Sequence, residues 1–372
     1  VGGSVALAGS AAATASSLSV QDPTEPVQPD NSVTINATAD SPGNDITFAI
    51  DADGNEDIAG EEVIGTTSSD GSSGVATISF TPNNFAGIDS SADSNFNLYA
   101  FEEDSSNGAT DGPNSDGAST QPDSDYDTTQ TLSIDGVAPT ITGASVTNSS
   151  SVGDGTFARG ETVEVTVNYD ENVIVDTSGE VPTLDLGVGA ASYVSGSGSS
   201  DLVFEYTVQS GDSGALTIGD ITLNGGTIKD AAGNDADTTS SSETISGDVD
   251  GVLPSNPDST SVVTATPVNS DASVDVDVTF PNQPEAGTVF VQFSDGSTTV
   301  ENSVAADTGS TTTTVSGTDI SSLSEGQIEV TAKLVDDAGN QNSAGYSAAT
   351  TFGKRAASIS AQPNGAGQTS TH

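Results

Sequence analysis

Apolar residues recur at every second position in short runs along this chain. In residues 161–167, Val163, Val165 and Val167 share one face while Thr162, Glu164 and Thr166 share the other. In 273–280, Val274, Val276, Val278 and Phe280 alternate with Asp275, Asp277 and Thr279. Side chains of a strand point alternately to the two faces of a sheet, so this pattern predicts half-buried strands with one dry and one wet side. The same reading places strands at 32–38, 45–50, 75–80, 95–103 and 129–134, then at 140–147, 161–168, 201–208 and 220–229. A last group falls at 273–280, 288–293, 311–315 and 327–335. No stretch keeps the 3.6-residue period of an amphipathic helix, and the expected class is all-β.

Two stretches break the strand pattern in the same way. Asp135-Gly-Val-Ala-Pro139 and Asp250-Gly-Val-Leu-Pro254 have a common form and start 115 residues apart, the length of one immunoglobulin-like sandwich of about 100 residues. A proline fixes φ and withholds a donor, which suits the first residues of a new domain. The expected organisation is an apolar N-terminal arm at 1–16 and a sandwich at 17–136 that carries an acidic loop at 104–127. Sandwiches at 137–250 and 251–353 follow, with a flexible polar tail at 354–372. A second internal match, Asp230-Ala-Ala-Gly-Asn234 and Asp336-Asp-Ala-Gly-Asn340, recurs after 106 residues. It predicts a tight turn, with glycine at positive φ and the Asp and Asn side chains bonding nearby backbone, or a calcium contact at the same place.

The middle segment carries Ala138-Pro-Thr-Ile-Thr142, Gly160-Glu-Thr-Val-Glu-Val-Thr-Val-Asn-Tyr-Asp-Glu171, Pro182-Thr-Leu-Asp-Leu186 and Tyr193-Val-Ser-Gly-Ser-Gly198. Leu202-Val-Phe-Glu-Tyr-Thr-Val208 and Lys229-Asp-Ala-Ala-Gly-Asn234 follow. In this order they resemble the immunoglobulin-like repeats of large bacterial and archaeal cell-surface adhesins. The resemblance covers residues 137–247 well, the last sandwich through its turn and strand pattern, and the first weakly. It implies tandem immunoglobulin-like β-sandwich domains in a stalk or surface layer, and it brings no catalytic residues with it.

Charge changes the setting more than the fold. Five Lys and Arg face 54 Asp and Glu, a formal net charge of −49. Such a chain repels itself in dilute buffer and is eased where salt shortens the screening length to about 3 Å at 1 M. The excess of Asp over Lys resembles secreted proteins of haloarchaea, and the expected setting is extracellular brine at a cell surface. A calcium-loaded marine adhesin is the alternative. The same field argues against nucleic acid as a partner. With no cysteine and a single histidine, His372, the chain lacks the ligands of Cys/His zinc sites and the base of a Ser-His-Asp triad. No enzyme is expected, and a glycosidase built on a pair such as Glu102 and Glu103 would lack aromatic platforms. Without an apolar run of about 18 residues, no transmembrane segment is expected.

Among candidate sites, Asp51, Asp53, Asn55, Asp57 and Glu62 place oxygen donors at alternating positions, as a calcium loop between strands would. Asn36 and Asn148 begin N-glycosylation sequons. Lys333 reads as local charge balance, or as the lysine of an internal isopeptide bond. Residues 1–13 read as the end of a secretion signal or as an arm that adds a strand to a neighbour's open sheet. Together these features predict a structural subunit of an extracellular filament or surface layer, a homo-polymer formed by strand addition. The alternative is an adhesin that meets a cell, a glycan or a host partner through its acidic loops.

Overall fold

A computed structural model describes residues 15–356 apart from 23–24, 41, 53–62, 104–127, 151–152, 154, 241–243, 264–267, 270–272 and 343–344. The arm as far as residue 14, the acidic loop and residues 357–372 lie outside the described residues.

The first sandwich is built from β1 (Ala15–Asp22), β2 (Val33–Ala39), β3 (Asp45–Asp51), β4 (Val63–Ser68), β5 (Val75–Phe80), β6 (Ser94–Glu103) and β7 (Thr128–Ile134). One sheet has the order β1-β2-β5 and the other β4-β3-β6-β7. Val33, Ile35 and Ala37 of β2 pack with Phe48, Leu98 and Leu132 of the facing sheet, all fully buried. Ala15 and Ser16, expected in the arm, belong to β1, where Ala15 pairs with Ala39 and enters the core. Glu102 is buried. It accepts hydrogen bonds from Asp40 N and Asn44 Nδ2, both at 2.6 Å, and so ties down the β2–β3 turn.

The second sandwich comprises β8 (Ile141–Val146), β9 (Thr156–Ala158), β10 (Thr162–Asp176), β11 (Thr183–Asp185), β12 (Ala190–Ser195) and β13 (Ser199–Thr207). It continues with β14 (Ser213–Thr217), β15 (Ile221–Thr222), β16 (Thr227–Lys229) and β17 (Thr244–Asp250). The expected inward face of β10 is the observed one: Val163, Val165 and Val167 are fully buried against Leu202 and Phe204 of β13. The strand expected at 220–229 is two strands, because Asn224 and Gly225 both take positive φ (54° and 85°) and turn the chain between them. Alternation marks faces, and a local turn inside an apolar run is invisible to it.

The third sandwich holds β18 (Ser259–Val262), β19 (Val268–Asn269), β20 (Ser273–Thr279), β21 (Gly287–Ser294), β22 (Thr299–Ala305), β23 (Thr312–Asp319), β24 (Gly326–Asp336) and β25 (Ser347–Arg355). Sheets β18-β20-β23 and β19-β25-β24-β21-β22 enclose Val274, Val276, Val278, Val291, Phe293 and Val330. Strand β25 runs through Lys354 and Arg355, which were expected to open the flexible tail. Lys354 is buried there, so the hydrophobic pattern missed a strand that a cation helps to close. The molecule is an all-β string of β-sandwich domains, each with its own hydrophobic cluster. Among the described residues no helix is long and apolar enough to cross a membrane.

Candidate functional site at the joints between sandwiches

The two repeated motifs meet in space. Each Asp-Gly-Val linker leaves one sandwich, and the Asp-x-Ala-Gly-Asn turn of the next sandwich folds back onto it. At the first joint, the turn after β16 closes with Asp230 N donating to Asn234 O at 3.1 Å. Gly233 supplies the positive φ of 103° that this reversal needs. Asp230 Oδ1 accepts from Gly233 N (2.6 Å) and Asn234 N (2.9 Å). The second joint repeats the construction after β24: Asp336 N donates to Asn340 O at 3.0 Å, Gly339 has φ 92°, and Asp336 Oδ1 accepts from Asn340 N at 2.7 Å.

The asparagine that ends each turn then bridges to the preceding sandwich. Asn234 Nδ2 donates to Asp135 O (3.0 Å) and Val137 O (3.2 Å), and its Oδ1 accepts from Gln28 Nε2 of the first sandwich (2.8 Å). Asn340 Nδ2 donates to Asp250 O (2.7 Å), and its Oδ1 accepts from Arg159 N of the second sandwich (2.8 Å). The linker glycines explain themselves by contact. A Cβ on Gly136 would meet Ser90 O at 2.6 Å, and one on Gly251 would meet Gln209 O at 1.9 Å.

Carboxylates converge on the same place. Strand β10 slips register against β13 between Asn168 and Val173, where its pairing passes on to β16. Such an irregularity re-aims side chains, and Glu171 lies within it. Oxygens of Asp135, Glu171 and Asp230 lie within 4.8 Å of one another, with Asp230 buried and the other two half-buried. Burial pushes the Asp135 carboxyl up to about 6, helped by a hydrogen bond to Asp93 and by the charges of Asp230 and Asp93. Burial, then the charges of Asp135, Asp230, Asp170 and Asp93, pushes Glu171 up to about 7. At the second joint, burial and the charge of Asp250 raise Asp336, against the hydrogen bonds from Asn340. Glu285, largely exposed as a residue, is raised by burial of its carboxyl and by Asp336 and Asp250.

A hard cation takes six to eight oxygens. Three carboxylates fall short of that cage, and Asp230 already receives three N–H donors, the third from Asn234 Nδ2 at 2.7 Å. The arrangement brings carboxyls of two sandwiches together at the joint.

Asp51 is buried at the end of β3, while Asp53, Asn55, Asp57 and Glu62 lie outside the described residues. Asn36 is half-buried on β2 and its Oδ1 accepts from Ser19 Oγ at 2.9 Å. Asn148 is exposed, but its Nδ2, the atom that would carry sugar, donates to Thr162 O at 2.6 Å. Lys333 sits on the outer face of β24 with its Nζ 5.0 Å from the Phe290 ring centre and 4.7 Å from that of Tyr346. The ammonium thus lies over two aromatic rings, a cation–π setting. Sequence reasoning singled out both repeated motifs as punctuation and missed that they form one joint. The available signal was that each turn belongs to the sandwich that follows its linker.

No family model matches the chain, and no curated protein does. Among solved structures it is similar to a tetra-tandem repeat in the extending region of a large adhesion protein, at 17% identity and a TM-score of 0.27, covering 92% of this chain and 74% of that one. It is also similar to the chicken CNTN1 FN1–FN3 domains (8% identity, TM-score 0.30) and to a marsupial T cell receptor (8%, 0.33), each match covering 92% of this chain and 99% of the other. TM-scores this low leave the fold assignment resting on the strand topology itself.

Proposed function

We propose that this chain is a structural spacer of an extracellular surface assembly, a row of sandwiches whose successive members are held by built joints. The observation that carries this reading is the repetition of one joint, with the same linker and the same asparagine bridge, at both junctions. A net charge of −49 supports a high-salt setting for it. In this reading, subunits associate by strand addition at open sheet edges, with residues 1–14 of one copy entering the next. Strand β22, which ends its sheet and presents the exposed Val304, is an edge of the required kind.

The expected result is that purified protein forms filaments or sheets under negative-stain microscopy in molar salt, and that removing residues 1–14 leaves folded single rods. Polymer that survives the deletion eliminates the arm. Short rods from the intact chain favour an adhesin that meets its partner through loops. The proposal includes calcium held by Asp51, Asp53, Asn55, Asp57 and Glu62. In constant salt, a chelator is expected to lower the first thermal transition by several degrees, about 1–2 kcal/mol for a domain of this size. An unchanged midpoint removes calcium from the proposal.

A further inference from the structure

Asn234 is bonded on both sides of the first joint at once. Its amide is oriented by Asp230 of its own turn while it holds Asp135 O, Val137 O and Gln28 of the preceding sandwich. The groups that orient it lie among carboxyls contributed by two different sandwiches. We infer that the joint between the first and second sandwiches is a proton-controlled latch, which Asn234 closes as a positioning residue and which loosens when Asp135 and Glu171 beside it are both ionised. The inference rests on reading the chain as a jointed spacer, and it concerns how stiff that spacer is.

The charged groups around this joint come from several elements, and Asp89 of the loop before β6 is held below the usual carboxylate range by Ser91 N and Oγ. The loop before β6 contributes Asp93 and the linker contributes Asp135. Strand β10 contributes Asp170 and Glu171, and the turn contributes Asp230. Asp170 accepts from Thr140 Oγ1 (2.6 Å) and Thr140 N (2.8 Å), which hold it below the usual carboxylate range, so it stays charged. Lys229 adjoins the turn, but its Nζ is engaged by Asp235 at 2.5 Å and Gly233 O at 3.1 Å. Glu25 accepts from Ser133 N, and Asp30 is bonded to Asn83. Asp237 is tied to Thr239 and lies below the usual range. Gln28, the partner across the joint, is neutral.

The direction of the effect follows from linkage. Asp135 and Glu171 are raised in the closed joint, from 3.8 to about 6 and from 4.5 to about 7, so the closed form binds more protons than an open, solvated one. The penalty on closure is absent below about pH 4, grows between about pH 4 and 7, and is complete above about pH 7. Charges in contact at a partly buried site are screened less than exposed ones, so the effect persists in salt.

The absence of cysteine makes the test direct. Spin labels at Thr77→Cys and Thr207→Cys, exposed positions on β5 and β13, report the distance between the two sandwiches by pulsed electron resonance. In constant 2 M KCl, the wild-type background is expected to give one narrow distance at pH 5. At pH 8.5 the distribution broadens and the closed fraction falls at least about tenfold relative to the open one, the factor that a single unit of differential pKa supplies. Asp135→Asn with Glu171→Gln should stay narrow at both pH values, and Asn234→Ala should be broad at both. Gln28→Ala removes one of the bonds across the joint and leaves the turn intact, so it serves if Asn234→Ala fails to fold, and it too should broaden the distribution at pH 5. Identical wild-type distributions at the two pH values overturn the latch, as does a narrow distribution in Gln28→Ala or in a folded Asn234→Ala. Closure at pH 8.5 that requires added calcium overturns it in favour of a cation. None of these outcomes depends on whether the chain polymerises, so failure of the latch and failure of the surface-spacer reading are separable.

Discussion

Gly251→Ala lowers the stability of the second sandwich by about 3 kcal/mol and loosens its junction with the third. The new Cβ would stand 1.9 Å from Gln209 O, a backbone atom that cannot rotate away. Relief requires the linker to move, and two hydrogen bonds hold it where it is. Gly251 N donates to Asp212 O at 2.7 Å, and Gly251 O accepts from Gly211 N at 3.0 Å. Overpacking costs roughly 1–3 kcal/mol and each lost hydrogen bond adds about 1 kcal/mol. Gly143→Ala in β8 is the control, since its Cβ meets nothing within 4 Å and needs no unusual backbone. Calorimetry of the full chain in constant molar salt should show one transition moved down by roughly 10–20 °C in Gly251→Ala and none moved in Gly143→Ala. Equal behaviour of the two variants would mean that the close approach at Gly251 does not hold the linker.

Lys354→Met destabilises the third sandwich by a comparable amount, about 3 kcal/mol. Lys354 is 3% exposed, and its ammonium donates to Ile320 O (2.8 Å), Ser321 O (3.2 Å) and Leu323 O. All three donors of the side chain are thus spent on the turn after β23. Methionine fills much of the same space and keeps the apolar stem, so packing loss is small. What it leaves is three carbonyls without their donor, each costing roughly 1–3 kcal/mol where water cannot reach. Relief from burying an ammonium offsets part of that sum, hence the net figure. The measurement is again the calorimetric transition of the third sandwich. A midpoint within about 1 °C of wild type would show that water replaces the ammonium at the turn.

Most strands were legible because alternation reports which face is dry, and Val163, Val165 and Val167 or Val274, Val276 and Val278 needed no tertiary knowledge to be placed inward. Short and polar strands were not. β15 and β16 read as one strand because the turn at Asn224 interrupts an apolar run without altering its composition. β25 was missed altogether, since a lysine at a core position contradicts the hydrophobic pattern unless carbonyls from a distant turn receive it. The candidate site was half legible. The recurrence of Asp-Gly-Val and of Asp-x-Ala-Gly-Asn was plain in the sequence, and so was the physical need for glycine in each. Their contact was not, because Asp135 and Asp230 are 95 residues apart. Glu171 gave no local sign of its role, which depends on a register slip in β10.

The amino-acid order alone determined that this protein is all-β, that it is built from repeated sandwiches, and that its surface is intensely acidic. Those properties follow from local periodicity, turn chemistry and the count of charges, none of which requires distant residues to meet. Only the tertiary structure decided that two punctuation motifs become one joint, that an asparagine spans it, and that a lysine near the end of the described chain closes the last core. Each of these depends on hydrogen bonds between segments far apart in sequence, and such bonds exist only once the sandwiches have packed.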